Sequence, residues 1–328
     1  MRQSAFFTRR LGVLALALAC TGGMGAAHAQ GDYPSHPITI VVGYSAGGAN
    51  DILARILAGK MSDLLKQSVI VENKPGISSI VGATYVAKSK PDGYTLLMGA
   101  SGPISFNPAL YKTLPYSPDK DLAPISQVGI FPLVLLTQAA NKQTATLAGL
   151  EAYSKAHPDK SNYSASSASF QLMTELFKKQ TGTQFVHIPY KGSMNSINAV
   201  GTGDATMTLV DIGPATVGVK GGRVRALAVT SARRAPYLPD VPTMKELGID
   251  MDVELWSGLF APAGTPPAVI QKLARTVHEA IQAPDVRKRI AALSITPASD
   301  TPAEFAALIA KEIPQWKRVA REAGVEPN

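Results

Sequence analysis

Short unbroken apolar runs alternate along the chain with longer stretches whose apolar residues recur every three or four positions. Ile38 to Val42 is a continuous, mostly β-branched run, the pattern of a strand buried on both faces. It leads through Gly43-Tyr44-Ser45-Ala46-Gly47-Gly48-Ala49-Asn50-Asp51 into a segment with Ile52, Leu53, Ile56, Leu57, Met61, Leu64 and Leu65 on one stripe, which predicts an amphipathic helix. Val69 to Val71 predicts a second strand and Ile80 to Ala87 a helix. Tyr94 to Met98 predicts a third strand, entered through the turn Pro91-Asp92-Gly93. Residues 99–124, rich in Gly, Ser, Pro and Asn, read as surface loop with short turns.

From Phe131 the alternation resumes. Strands are expected at 131–137, 162–165, 184–188, 205–210 and 224–230, with helices near 147–156, over 169–179 and after Ser193. Thr243 with Glu246 forms a capping-box pattern before a short helix, and Val253 to Phe260 reads as a strand returning the chain to the first region. The C-terminal part is helical. Thr265-Pro266 opens a helix with Val269, Leu273, Val277 and Ile281 spaced by four, and Thr301-Pro302 with Glu304 opens another carrying Phe305, Ile309, Ile313 and Trp316. Trp256 and Trp316 are read as core or hinge-side aromatics. Strand–helix alternation of this kind predicts an α/β fold with a buried parallel sheet.

With 328 residues, 45% hydrophobic and 17% charged, the chain has material for one large or two medium cores, and disorder is excluded. The N-terminus carries Arg9 and Arg10, a short apolar stretch, and Ala27-His28-Ala29 as a cleavage box. It therefore reads as a signal peptide over 1–29, removed from an exported chain. Cys20 raises lipidation as a question. The formal charge is +8, and without that segment 29 basic side chains face 24 acids, a balance of +5. Spread without runs, it argues against nucleic acid as a partner and weakly for small anions. Cys20 is the only cysteine, so the mature chain would have no disulfide, no thiolate nucleophile and no cysteine zinc site. His36, His157, His187 and His278 show no ligand spacing, so no metal and no cofactor are expected.

Three segments and the single residue Asp211 carry candidate chemistry. Tyr44, Ser45, Ala46, Gly47, Gly48, Asn50 and Asp51 lie between a buried strand and a helix, where free amides and the positive helix end suit an anion such as a carboxylate. A plain tight turn capped by Asn50 or Asp51 is the structural alternative. The spacing is neither a dinucleotide fingerprint nor a Walker loop. It does spell Gly-x-Ser-x-Gly, so a secreted serine hydrolase using Ser45, Asp211 and His278 is the competing reading. Against it, the elbow lies on the first mature strand and His278 falls inside an amphipathic helix. Ser164, Ser166, Ser167, Ala168, Ser169 and Phe170 form a second strand-to-helix passage, a second anion seat facing the first. Tyr190-Lys191-Gly192-Ser193 starts a helix that could close over a ligand or leave Lys191 as a solvated charge. Asp211 could accept from a ligand hydroxyl or amine, or merely cap the helix containing Pro214.

Several long stretches, among them YPSHPITIVVGYSAGGANDILARILA, IVGATYVAKSKPDGYTLLM, FNPALYKTLPYSPDKDLAPIS, VHIPYKGS, RALAVTSARRAPYLPDVPTMKELG and LWSGLFAPAGTPPAVI, closely resemble the Bug, or TctC-like, family. These are the periplasmic solute-binding components of tripartite tricarboxylate transporters. The resemblance covers essentially the whole mature chain. It implies an α/β fold of the type II periplasmic-binding class, two lobes around a central ligand cleft, with lobe 1 formed by 30–130 plus 254–328 and lobe 2 by 131–253. It also implies a non-catalytic, monomeric protein that captures a small carboxylate and presents it to membrane permease subunits. Tyr44 to Asp51 carries the first-lobe loop, supported by Ser101 and Gly102. Ser164 to Phe170 carries the second-lobe seat, with Asp211 near the cleft. Gly43-Tyr44-Ser45 departs from the family's usual Pro-Phe-Pro, and the Ser-Ala-Ser-Ser-Ala-Ser loop is shorter than the usual glycine-rich one. Together with Tyr44 and Phe170, these departures permit an aromatic dicarboxylate flanked by rings.

Overall fold

Strand β1 (Ile38–Val42) is buried along almost its whole length in the computed structural model, which describes residues 33–327. The expected signal peptide, its cleavage box and Cys20 lie outside the described residues. Helix α1 (Ala49–Leu65) follows, with Leu53, Ile56, Leu57 and Met61 turned into the core, as the apolar stripe requires. Strand β2 (Val69–Asn73), helix α2 (Ile80–Ala87) and strand β3 (Thr95–Ala100) come next, and β1 runs parallel between β2 and β3. Parallel strands need covered crossovers, and α1 and α2 supply them.

The long strand β4 (Leu122–Gln138) ties the sheet together. Strand β5 (Asn162–Ala165), β6 (Val186–Pro189), β7 (Met207–Asp211), β8 (Val224–Val229), β9 (Glu254–Pro262) and the two-residue β10 (Thr296–Pro297) complete it. Up to Pro132, β4 pairs antiparallel with β9, which itself pairs with β3. From Leu133 its partner is β7, with β8 alongside, and β7 continues through parallel β5 to β6. The pairing thus changes partner between adjacent residues of one strand.

Helices α3 (Leu147–Ala156), α4 (Ala168–Thr181), α5 (Ser193–Thr202) and α6 (Ile212–Lys220) cover the β5–β8 portion. Helices α7 (Pro267–Gln282), α8 (Pro284–Ala291) and α9 (Pro302–Glu322) follow β9. The Thr301–Glu304 capping box forms at the start of α9, and the reciprocal Thr243–Glu246 bonds form as the spacing predicts. Among the described residues no helix is long and apolar enough to cross a membrane.

Residues 99–124 depart from the expected loop. Helical turns occupy Gly102–Phe106, Asn107–Leu110 and Pro118–Asp121, and β4 starts at Leu122, well before the strand expected at 131. Pro124, Ser126, Gln127 and Gly129 hide the strand from a hydrophobicity reading. Register shifts against β9 fall between Pro124 and Ser126 and between Gln127 and Gly129, where a strand can tolerate such residues. Both tryptophans are core residues, as expected. Trp256 meets Phe305 edge-on at 4.9 Å, and Trp316 stacks on Phe106 at 4.8 Å. Near the end of β1, backbone packs on backbone: a Cβ on Gly82 would lie 2.6 Å from the Cα of Gly43, so α2 approaches the strand only because both residues lack side chains.

Candidate functional site

Five strand-to-helix passages open onto one cavity of about 330 Å³. β1 delivers Tyr44, Gly48, Ala49 and Asn50, and β3 delivers Ser101 and Gly102. β5 delivers Ser166, Ser167, Ser169 and Phe170. The passage from β6 into α5 delivers Gly192 and Ser193, and the end of β7 delivers Asp211. A crevice beyond the carboxyl ends of parallel strands is where open α/β sheets hold ligands, because helix N-termini and their unpaired N–H groups collect there.

The first loop is fixed from behind by Asp51. Its Oδ2 accepts from the Gly47 amide at 2.9 Å and from Arg55 Nε at 3.0 Å, and its Oδ1 accepts from Asn73 Nδ2 at 2.9 Å. Asn73 Nδ2 also donates to the Tyr44 carbonyl at 3.1 Å. The Arg55 guanidinium and these hydrogen bonds hold the Asp51 carboxyl down at about 2. Asp51 is only 2% exposed and does not line the cavity; every donor it meets belongs to the chain, so it shapes the loop. The helix start it leaves is bare. Gly48 is the N-cap of α1 with no side-chain cap, so the first amides of the helix lack an internal partner. Asn50 adds a side-chain amide, oriented by Ser257 Oγ, which donates to Asn50 Oδ1 at 2.6 Å.

Across the cavity Ser167 caps α4, accepting from the Phe170 amide at 3.2 Å. Asp211 stands at the N-cap position of α6 without capping it; instead Ser193 Oγ donates to its Oδ1 at 2.6 Å. Burial raises the Asp211 carboxyl above the ordinary carboxylate value, against the effect of that bond. Burial likewise pushes the Tyr44 phenol up, so it remains a neutral donor. A Cβ on Gly102 would lie 3.4 Å from the Tyr44 hydroxyl and 3.7 Å from Ser169 Oγ, so the bare glycine sits beside two hydroxyls of opposite walls.

Of the residues singled out in the sequence, Tyr44, Gly48, Asn50, Ser101, Gly102, Ser166, Ser167, Ser169, Phe170 and Asp211 come together here. Ser45, Ala46 and Gly47 are exposed on the loop outside the lining. Ser164 is fully buried within β5, where its Oγ donates to the Ser196 carbonyl at 3.1 Å. Ala168 is the first residue of α4. The hydrolase arrangement is not assembled. Ser45 is exposed, Asp211 is engaged by Ser193, and the exposed His278 lies 3.1 Å from Ser299 Oγ through Nδ1.

Sequence reasoning missed Ser78, Asn107, Phe131, Leu255 and Trp256 in the lining. Ser78 and Asn107 are linked, Asn107 Nδ2 donating to the Ser78 carbonyl at 3.0 Å, and Asn107 fell in the stretch read as loop. Ser78 and Ser79 both have positive φ, 48° and 61°. No serine advertises that conformation in the sequence. Phe131, Leu255 and Trp256 sit where β4 and β9 pair near the change of partner, so their place in the site depends on tertiary pairing alone.

Residues 53–325 match the family model described as tripartite tricarboxylate transporter family receptor. The chain is 36% identical to BugT of Bordetella pertussis over 97% of its own length and 98% of that protein's. Its structure is similar to that of an R. palustris protein solved with adipate, with a TM-score of 0.82 and 31% identity over 90% of this chain and 100% of the other. It is also similar to MatC from Rhodopseudomonas palustris with bound malate, with a TM-score of 0.76 and 30% identity over 88% and 99%.

Proposed function

The chain belongs to the tripartite tricarboxylate transporter receptor family, the Bug proteins, which are periplasmic, non-catalytic solute-binding proteins with the α/β periplasmic-binding fold; on that premise we propose that its cavity captures a small organic acid by the carboxylate. The observation that carries this is the convergence of five helical starts on a cavity lined, among the described residues, by no lysine, arginine or histidine. Recognition by neutral donors suits a carboxylate: backbone amides at a helix N-terminus supply partial positive charge and hydrogen bonds without a mobile cation. At ~30 Å³ per water, about 330 Å³ corresponds to on the order of ten water volumes, a ligand of roughly ten heavy atoms. The proteins solved with adipate and malate, both small acids, support the same class.

Residues 30–130 with 254–328 form one lobe in this reading and 131–253 the other. The change of β4 partner at Leu133 and the start of β9 at Glu254 support that division. Capture then consists of the lobes closing over the acid with no covalent step. The loaded monomer delivers it to the membrane subunits of a tripartite transporter, and light scattering of the purified protein checks the monomer.

The test is a thermal-shift screen of aliphatic, hydroxy-, amino-, tricarboxylic, nicotinic and phthalic acids, followed by calorimetry and recovery of the acid. A true ligand at a hundredfold excess over its Kd stabilises the protein by about 2.7 kcal/mol and is recovered intact. Silence across all acid classes overturns the proposal.

A further inference from the structure

Resting on that reading, we propose that Asp211 selects, among small carboxylic acids, those carrying a hydroxyl or ammonium group remote from the captured carboxylate. Among the described residues Asp211 is the one acidic side chain lining the cavity, and none of the other lining residues is a cation. Its obvious structural job is not done: it occupies the N-cap of α6, yet its side chain makes no capping bond. Among the described residues it takes part in no ion pair, and Ser193 is the side chain that donates to it, at Oδ1. Ser193 orients the group and leaves Oδ2 without a side-chain donor.

The two ends of the site are therefore unlike. The α1 end offers Gly48, Ala49 and Asn50, all neutral donors. The end formed by α5 and α6 offers a half-buried acceptor. A second carboxylate placed there faces the Asp211 carboxyl with no cation among the described lining residues between them, so the pair either repels as two anions or takes up a proton, and both are costly in a buried site. A hydroxyl or ammonium placed there makes a charge-assisted hydrogen bond and relieves an acceptor that is otherwise underused. Discrimination by a site built to pair with an OH or NH group is steep, because the analogue lacking it leaves buried polar groups unpaired.

The experiment compares hexanoate, adipate, 6-hydroxyhexanoate and 6-aminohexanoate by calorimetry at pH 7.5, and in parallel succinate, malate and aspartate, on the unmodified protein, Asp211→Asn and Ser193→Ala. Expected is at least tenfold tighter binding of the hydroxy or amino acid than of the plain dicarboxylate of equal length in one of the two series. Asp211→Asn reduces that preference at least tenfold. Ser193→Ala, which keeps the charge but loosens its aim, moves it the same way by less and guards against a misfolded first variant. Equal or tighter binding of adipate and succinate by the unmodified protein, or a ranking unchanged in both variants, overturns the role of Asp211 while leaving carboxylate capture standing. Absence of binding by every acid in both series overturns carboxylate capture and this inference with it.

Discussion

Replacing Asp51 with asparagine tests whether the first loop is held by a buried carboxylate or merely by packing. In the folded protein two oxygens receive the Gly47 amide, Asn73 and two nitrogens of Arg55, all between 2.9 and 3.0 Å. The carboxyl consequently falls from 3.8 to about 2. At ~1.4 kcal/mol per pH unit this corresponds to a ceiling of about 2.5 kcal/mol. The Arg55 side chain is 49% exposed, so solvent screens the pair, and about 1 kcal/mol is the expected loss at pH 7.

The sign follows from the depressed value. The contribution is complete above about pH 4 and disappears as the pH falls toward 2, where the folded carboxyl takes up its proton. Urea unfolding of both proteins between pH 7 and pH 2 reads it directly, as a difference that shrinks to near zero at the acid end. Ligand affinity of the variant should also fall severalfold, since the same bonds set the loop that presents Gly48 and Asn50. A difference that stays constant over the whole pH range, or no difference at pH 7, would refute the electrostatic account.

Gly82→Ala forces a Cβ into the Gly43 backbone at 2.6 Å, and should cost at least ~1–3 kcal/mol in urea unfolding because backbone cannot step aside as a side chain can. Glu312 accepts from Ser105 Oγ at 2.6 Å and Trp256 Nε1 at 3.0 Å on one oxygen, while burial raises its carboxyl above 4.5. In a Trp316→Phe background, Trp256 fluorescence should titrate with a midpoint above 4.5, and Glu312→Gln should abolish that step. Because the folded value is raised, the Glu312 contribution to stability improves as the pH falls through it, and the glutamine variant lacks this gain in urea unfolding. Ser45→Ala should leave ligand affinity within twofold, with no ester hydrolysis before or after the change, because Ser45 is exposed outside the lining.

Local signals were enough for much of this protein. The unbroken run of β1, the stripe of α1, the Thr301–Glu304 box and the glycine-rich passage between β1 and α1 are statements about neighbours in sequence, and elements governed by periodicity and capping can be read from neighbours. The ends of strands that open onto helices also marked most of the cavity in advance, because in a parallel sheet those ends share one edge.

What the chain order could not give is which residues meet across it. β4 hid behind Pro124 and Gly129 because its early half is stabilised by ladder bonds to β9, distant in sequence. Asp51 looked like a ligand contact, and only folding brought Asn73 and Arg55 round it to make it a brace. Asp211 could equally have capped a helix or lined a cleft, and only folding showed that it leaves α6 uncapped and that Ser193, from another helix start, donates to it. Sequence determined which residue types stand at helix starts; the tertiary structure decided which of their polar groups are already satisfied, and unsatisfied donors and acceptors are what a ligand recognises.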